Sequence, residues 1–193
     1  MLTQVDDYLE RLRTAIDGLP RDRLNQLAET LLGAYRNDKQ VFTIGNGGSS
    51  STASHLAADL SKNTTGANTR RFRITSLNDN AAIVTAIAND LGYENVFVEQ
   101  LINLIRPGDV LIAVSASGNS PNIVNAIRYA QEQSAHVAAL LGFDGGEAAK
   151  LADNAIIVPS SDFGIVEDLH LAINHILVEY FRDYLAQAEA WGA

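Results

Sequence analysis

The chain has 193 residues, 47% of them hydrophobic and 19% charged, and a formal net charge of −9 at pH 7. This length suits one domain with a sizeable core, and the negative charge excludes a general nucleic-acid or anionic-membrane surface, which needs clustered Lys and Arg. The absence of cysteine excludes disulfides, thiolate catalysis and Cys-based zinc sites. The N-terminus is acidic and no apolar stretch approaches the ~18 residues of a membrane helix, so we expect a soluble cytoplasmic protein without signal peptide or membrane span.

Two amphipathic helices are predicted at the start of the chain. From residue 3 to about 37, apolar residues recur at steps of three, four and seven, with one break at Gly18–Pro20. We expect this pair, residues 1–38 of a single domain 1–193, to serve in oligomerisation.

Short β-rich runs alternate with helical segments over the remaining residues, 39–193. We predict strands at 40–44, 72–75, 109–114, 135–140 and 154–158. Helices are predicted at about 48–61, 80–90, 94–105, 121–133, 146–152 and 163–187, and the polar stretch 63–69 as a mobile loop. This alternation predicts an α/β fold with a doubly wound, Rossmann-like, flavodoxin-type sheet of five parallel strands. Ligands of such folds bind beyond the carboxyl ends of the strands.

The third predicted strand runs into the polar stretch Ser115–Pro121, which predicts an anion site. Proline favours the first helical turn, where the free backbone N–H groups and the helix dipole point at whatever occupies the loop. Three serine hydroxyls and no lysine suggest a phosphate monoester held by hydrogen bonds. A serine-rich helix cap without a ligand is the alternative.

A second candidate loop, Gly45–Ser51, follows the first predicted strand. Its glycines let the backbone turn sharply and approach a ligand, but it lacks the third glycine of a dinucleotide fingerprint and the lysine of a P-loop. Because both loops follow strands of the same sheet, we expect both to contact the ligand.

Two pairs of histidine and carboxylate lie on different predicted helices. His55 and Asp59 are four residues apart, and Glu167 and His175 lie on the last helix with Asp168 and His170 beside them. The four side chains of the pairs suit one divalent ion such as zinc, or they act as general acids and bases. Spacing alone does not decide between a metal site, acid–base catalysis and ordinary surface hydrogen bonds.

Taken together, these stretches resemble the sugar isomerase (SIS) domain of the phosphoheptose isomerases. The resemblance covers nearly the whole chain and rests on the order and spacing of six stretches: 45–49, 89–90, 106–111, 115–120, 144–146 and 159–162. It implies a homotetramer with active sites between subunits. It also implies an aldose–ketose isomerase that forms glycero-manno-heptose 7-phosphate from sedoheptulose 7-phosphate through an enediol. The implied role of the product is the synthesis of cell-envelope or capsule heptose.

The resemblance assigns a role to each matching residue. The loop serines would bind the substrate phosphate, and polar groups at the other loops would contact the sugar. The implied substrate-binding residues are Asn46, Gly47, Gly48, Ser49, Asp90, Ser115, Ala116, Ser117, Ser120 and Asp162. The implied zinc ligands are His55, Asp59, Glu167 and His175.

Two of these four positions depart from the family. The glutamate that is the family's catalytic base is Asp59 here, and a glutamine is Glu167. Shortening a carboxylate side chain by ~1.5 Å can cost ~10²-fold in rate. We therefore expect either Asp59 or Glu167 to be the base, and His175 to be the acid.

A non-catalytic protein is the alternative function. The changed base and glutamine positions favour a SIS scaffold or a sugar-phosphate-binding regulator, similar to a replication-initiator-associating protein of the same fold. Retention of both histidines and two acids favours the enzyme.

Overall fold

The computed structural model describes residues 2–64 and 70–191, and it begins with the two predicted helices. They are α1 (Leu2–Asp17) and α2 (Arg21–Arg36), separated by a short turn in which Pro20 precedes the first residue of α2. Pro20 favours this break because it cannot continue α1 but tolerates the start of α2. Of the predicted loop 63–69, residues 65–69 lie outside the described part of the chain.

Five parallel strands form one sheet in the order β2-β1-β3-β4-β5. The strands are β1 (Gln40–Gly45), β2 (Arg73–Ser76), β3 (Val110–Ser115), β4 (His136–Leu141) and β5 (Asn154–Ile157). The predicted fold class is confirmed. The strand order reverses between β1 and β3, so the carboxyl ends of these two neighbouring strands form the switch point where doubly wound folds bind ligands.

Helices cover both faces of the sheet. They are α3 (Gly48–Lys62), α4 (Ala81–Asp90), α5 (Val98–Leu104), α6 (Pro121–Glu132), α7 (Gly146–Leu151) and α8 (Phe163–Trp191). The predicted helix 94–105 is wrong over its first four residues, because a 3₁₀ turn at Tyr93–Asn95 precedes α5. The fully buried Val96 and Phe97 follow this turn and anchor it to the core before α5 begins.

Two hydrophobic layers enclose β3, whose six residues are all buried. One layer packs α2, α3 and α8 on the sheet through residues such as Leu31, Leu56 and Phe181. The other packs α5 and α6 through residues such as Leu101 and Ile123. Burying a side chain of this kind contributes about 1.5–3 kcal/mol, so the layers fix α3 and α8 side by side.

None of the helices in the described ranges combines the length and apolar character needed to cross a membrane.

Candidate active site in two halves

The loop after β1 turns sharply into α3. Gly45 has no room for a side chain, because a Cβ there would overlap the backbone carbonyl of Ser49, and Gly47 adopts a φ of +54°. Helix α3 begins at Gly48 without a side-chain capping bond. The first turn of α3 therefore offers backbone N–H groups and the positive end of its dipole at the switch point.

Hydrogen bonds to its own serine side chains shape the loop after β3. The buried Ser115 Oγ accepts a hydrogen bond of 3.1 Å from the Gly118 N–H, and Ser117 Oγ accepts one of 3.3 Å from the Asn119 N–H. Ser120 precedes α6 and makes no capping bond with its side chain. Hydroxyls and free N–H groups at a helix start suit a phosphate group.

A network of side chains that sequence reasoning missed ties the two loops together. Asn46 and Asn122 exchange two amide hydrogen bonds of 2.8 and 2.9 Å, and the Tyr93 hydroxyl donates to Asn46 Oδ1 at 2.9 Å. Asn122 is almost fully buried at the start of α6. Its position directly after Pro121 carries no sequence signal, because only the fold brings it opposite Asn46.

The other predicted sugar contacts have separate surroundings. Asp90 is exposed at the end of α4, where it accepts a hydrogen bond from Asn89 Nδ2. Asp162 caps α8, since its Oδ1 accepts from the N–H groups of Gly164 and Ile165 and its Oδ2 pairs with Arg11 at 2.6 Å. The hydrogen bond from Arg11 is the main reason that the pKa of Asp162 is lowered.

Three of the four predicted metal ligands come together between α3 and α8. The ligand atoms of His55, Asp59 and His175 all lie within 4.8 Å of one another, and the two imidazole rings meet edge to face at 5.3 Å. Two imidazoles and a carboxylate match the three-ligand set of catalytic zinc sites, which leave a fourth position open. The donor set present therefore fits a zinc-type ion.

Glu167 is not part of this cluster. Its carboxylate fills the space that a Cβ at Gly48 would take, so it lies at the start of α3. It precedes His175 by eight residues on the same continuous helix, a separation of about 12 Å along the axis. Within one chain the four predicted ligands therefore do not surround one ion, and the eight-residue spacing already contained that signal.

Helices α3 and α8 run parallel, which separates the site into two halves. Gly48 meets Glu167 at their first turns, and His55 meets His175 about two turns later. We call the loops 45–51 and 115–121 together with Glu167 the loop half-site, and His55, Asp59 and His175 the histidine half-site. The histidine half-site faces its own cavity of about 590 Å³, whose lining includes no residue of the loop half-site.

The cavity adds residues that the sequence analysis did not single out. Asn63, Val178, Glu179 and Arg182 line it beside the histidine half-site. Asn63 is the C-cap residue directly after α3, and Glu179 follows His175 by one turn of α8. A sequence signal existed only for Glu179, through its spacing of four residues from His175.

His170, noted beside the Glu167 and His175 pair, is structural. It is fully buried, and its Nε2 lies 3.0 Å from the backbone carbonyl of Leu141. Burial lowers its pKa to about 4, because the charged imidazolium loses its hydration. His170 is therefore neutral at pH 7, and its buried ring packs against the end of β4.

The chain is similar in sequence to proteins of a known family. Residues 4–142 match the SIS domain family. The phosphoheptose isomerase of Sulfurimonas denitrificans is 38% identical over 158 residues, 82% of this chain and 80% of that protein. The phosphoheptose isomerase of Pelobacter propionicus is 35% identical over 189 residues, 93% of this chain and 96% of that protein.

A solved structure agrees over almost the full length. The phosphoheptose isomerase of Neisseria gonorrhoeae superposes with a TM-score of 0.86 at 30% identity, covering 94% of this chain and 98% of that one.

Proposed function

Because the chain belongs to the SIS domain family, in its phosphoheptose isomerase branch, we propose that it is an aldose–ketose isomerase that interconverts sedoheptulose 7-phosphate and glycero-manno-heptose 7-phosphate. The observation that carries this proposal is the similarity to phosphoheptose isomerases over more than nine-tenths of the chain. A serine loop suited to phosphate and a cluster suited to zinc support it. A cytoplasmic location and a role in heptose supply for the cell envelope or capsule belong to the same proposal.

A complete site would form between subunits. In one chain, His55 of the histidine half-site lies about 10 Å along α3 from Gly48 of the loop half-site. A sugar phosphate held by the loops of one subunit would then meet the histidine half-site of another. The exposed Val5, Leu9 and Ile16 on α1 offer apolar surface for such an assembly, in line with the oligomerisation role of residues 1–38 and a homotetramer.

The isomerisation moves one proton between two carbons. A base removes a proton from C1 of the ketose, the C–H electrons form the C1–C2 double bond, and the C2 oxygen takes up negative charge as an enediolate. Protonation of that oxygen and of C2, with loss of the O1 proton, then gives the aldose. Zinc, when bound by the histidine half-site, would polarise the carbonyl and offset the enediolate charge.

We assign the base to Glu167. Each oxygen of Asp59 already accepts one amide N–H, Oδ1 from Asn63 and Oδ2 from Asn174, and the carboxylate lies in the cluster that would bind the ion. Glu167 instead reaches the start of α3, beside the loops that would hold the substrate. His175 is exposed and supplies or accepts the proton on oxygen.

Turnover of the substrate tests the proposal. Purified protein loaded with zinc is incubated with sedoheptulose 7-phosphate, and aldoheptose phosphate is followed by NMR. We expect conversion to an equilibrium mixture of the two sugars, and no conversion when the phosphate-free ketose replaces the substrate.

The second candidate is a non-catalytic sugar-phosphate-binding protein. The changed residues Asp59 and Glu167 favour it, because both replace residues that the family uses in catalysis. Binding of sedoheptulose 7-phosphate without any conversion, in zinc-loaded protein, would establish this candidate and exclude the enzyme for that substrate.

A further inference from the structure

The carboxylate of Asp59 has an unusual number of partners for a side chain of its length. His55 Nε2 lies 3.1 Å from Oδ2, Asn63 Nδ2 donates to Oδ1 at 2.8 Å, and Asn174 Nδ2 donates to Oδ2 at 3.2 Å. The contact with His55 joins two candidate ligands of the same ion. The two amides, in contrast, are neutral donors that leave the ligand atoms of the histidines free.

Asn174 is held in place at a cost. It is 1% exposed on α8, immediately before His175, and its Oδ1 has no hydrogen-bond partner among the described residues. Burying an amide oxygen that has no hydrogen-bond partner is unfavourable. The Nδ2 group makes a bond that crosses from α8 to α3, and that bond ends on Asp59.

Asn63 approaches the same carboxylate from its other side. It is the residue after the last turn of α3, and its backbone N–H donates to the Asp59 carbonyl at 2.7 Å while its side chain donates to Oδ1. Asn63 is thus tied twice to one residue. The two amides hold one carboxylate oxygen each, which fixes the rotation of the carboxylate plane.

We propose that Asn63 and Asn174 form an amide clamp that positions Asp59 as a metal ligand. The clamp makes up for the short aspartate stem, because it fixes the carboxylate towards His55 and His175 before an ion arrives. Partners that orient the first ligands in this way govern metal affinity in other sites. The inference rests on the proposed cation site, and its subjects are positioning residues that would touch neither substrate nor ion.

The test compares Co²⁺ affinity, read from the visible absorption of the bound ion, between clamp variants and matched controls. Asn174→Leu is matched by Asn154→Leu, since Asn154 is also fully buried, donates Nδ2 to one backbone carbonyl and leaves Oδ1 unpartnered. Asn63→Ala is matched by Asn37→Ala, since Asn37 ends α2 and donates its side chain to the Gly33 carbonyl.

We expect each clamp variant to bind Co²⁺ roughly 10- to 100-fold more weakly than the wild type, while both controls stay within about twofold. In an Asp59→Ala background the clamp substitutions should have no further effect on affinity, because the carboxylate they orient is gone. A purely structural role would instead weaken binding equally in both backgrounds.

Two results would overturn the proposal, and they are distinguishable. Clamp variants that bind Co²⁺ as tightly as the wild type, or controls that lose as much as the clamp variants, would refute the clamp and leave the cation site intact. A wild-type protein that binds no Co²⁺ would refute the cation site itself and the clamp with it. Asn63 lies at the end of α3, so Asn63→Ala keeps the test open if Asn174→Leu does not fold.

Discussion

At the scale of single residues, Asp59 and Glu167 differ in what surrounds them. The Asp59 side chain is 13% exposed and contacts two amides and a histidine, whereas Glu167 lies at the start of α3 beside Gly48. A carboxylate already held by N–H donors suits a ligand, and one placed beside a substrate loop suits a base. We therefore propose that the two acids divide the roles of metal ligand and base, which the resemblance alone left open between them.

Glu167→Gln tests this division. The substitution keeps the size of the side chain and removes its ability to accept a proton as a base, so we expect kcat to fall by about 10²- to 10⁴-fold with little change in KM. Asp59→Asn serves for comparison and should chiefly weaken Co²⁺ binding. An active Glu167→Gln variant beside an inactive, metal-loaded Asp59→Asn variant would move the base to Asp59.

His170 predicts how stability depends on pH. Its pKa is about 4 in the folded chain against 6.5 for an unperturbed histidine, so the unfolded chain takes up this proton first as the pH falls. Stability from the neutral buried ring is complete above about pH 6.5 and is lost towards pH 4, by about 3 kcal/mol at most.

Urea unfolding at pH 7 and pH 4.5 measures this effect. The free energy of unfolding should fall more between the two pH values for the wild type than for His170→Leu, which has no imidazole to protonate. Equal pH dependence in wild type and His170→Leu would contradict the assignment.

At the scale of elements, α1 is fastened to the start of α8 by exposed polar contacts. Arg11 pairs with Asp162, and the Tyr8 hydroxyl donates to Asp168 at 2.6 Å. The bond to Asp168 raises the pKa of Tyr8 to about 12, so the phenol remains a donor at neutral pH. Asp162 therefore caps α8 and joins α8 to α1, and neither contact involves a sugar.

Asp162→Ala distinguishes these roles. Losing the cap and the Arg11 contact should lower the thermal unfolding midpoint by a few degrees and leave KM nearly unchanged. Asn80→Ala removes the comparable cap of α4, where Asn80 Oδ1 accepts from the Ile83 N–H, and calibrates the cost of one cap. A raised KM with an unchanged midpoint would instead support the substrate contact that the resemblance implies.

At the scale of the whole molecule, the separation of the two half-sites leads us to expect that catalysis depends on assembly. A homo-oligomer would place the loop half-site of one subunit opposite the histidine half-site of another. One chain carries both half-sites, but His55 lies about 10 Å along α3 from Gly48, so we expect an isolated subunit to be inactive even when it is fully folded.

Mixing of inactive variants tests this dependence. His175→Ala disables the histidine half-site, and Ser117→Asp disables the loop half-site because its negative charge repels a phosphate. Co-refolded at equal amounts, the two variants should regain roughly a quarter of wild-type activity, since some sites then combine two intact halves. Ser117→Asp mixed with Ser120→Asp should regain none, and failure of the first mixture as well would indicate a site within one chain.

The sequence by itself determined the elements and the loops. Helical periodicity, the break at Pro20 and the apolar runs predict the helices and strands to within a few residues, because local spacing sets which face of an element is buried. The glycines after β1 and the serines after β3 mark the loops at the carboxyl ends of these two strands, where the switch point lies.

Only the tertiary structure decided which side chains share a site. Asn174 joins Asp59, and Asn122 joins Asn46, across distances in the chain that no local pattern encodes. Glu167 lies outside the cluster of His55, Asp59 and His175 because α8 is one continuous helix packed parallel to α3, which puts Glu167 beside Gly48 and two turns from His175. The packing of α8 against α3, together with the eight-residue spacing along α8, therefore fixes the division of the site.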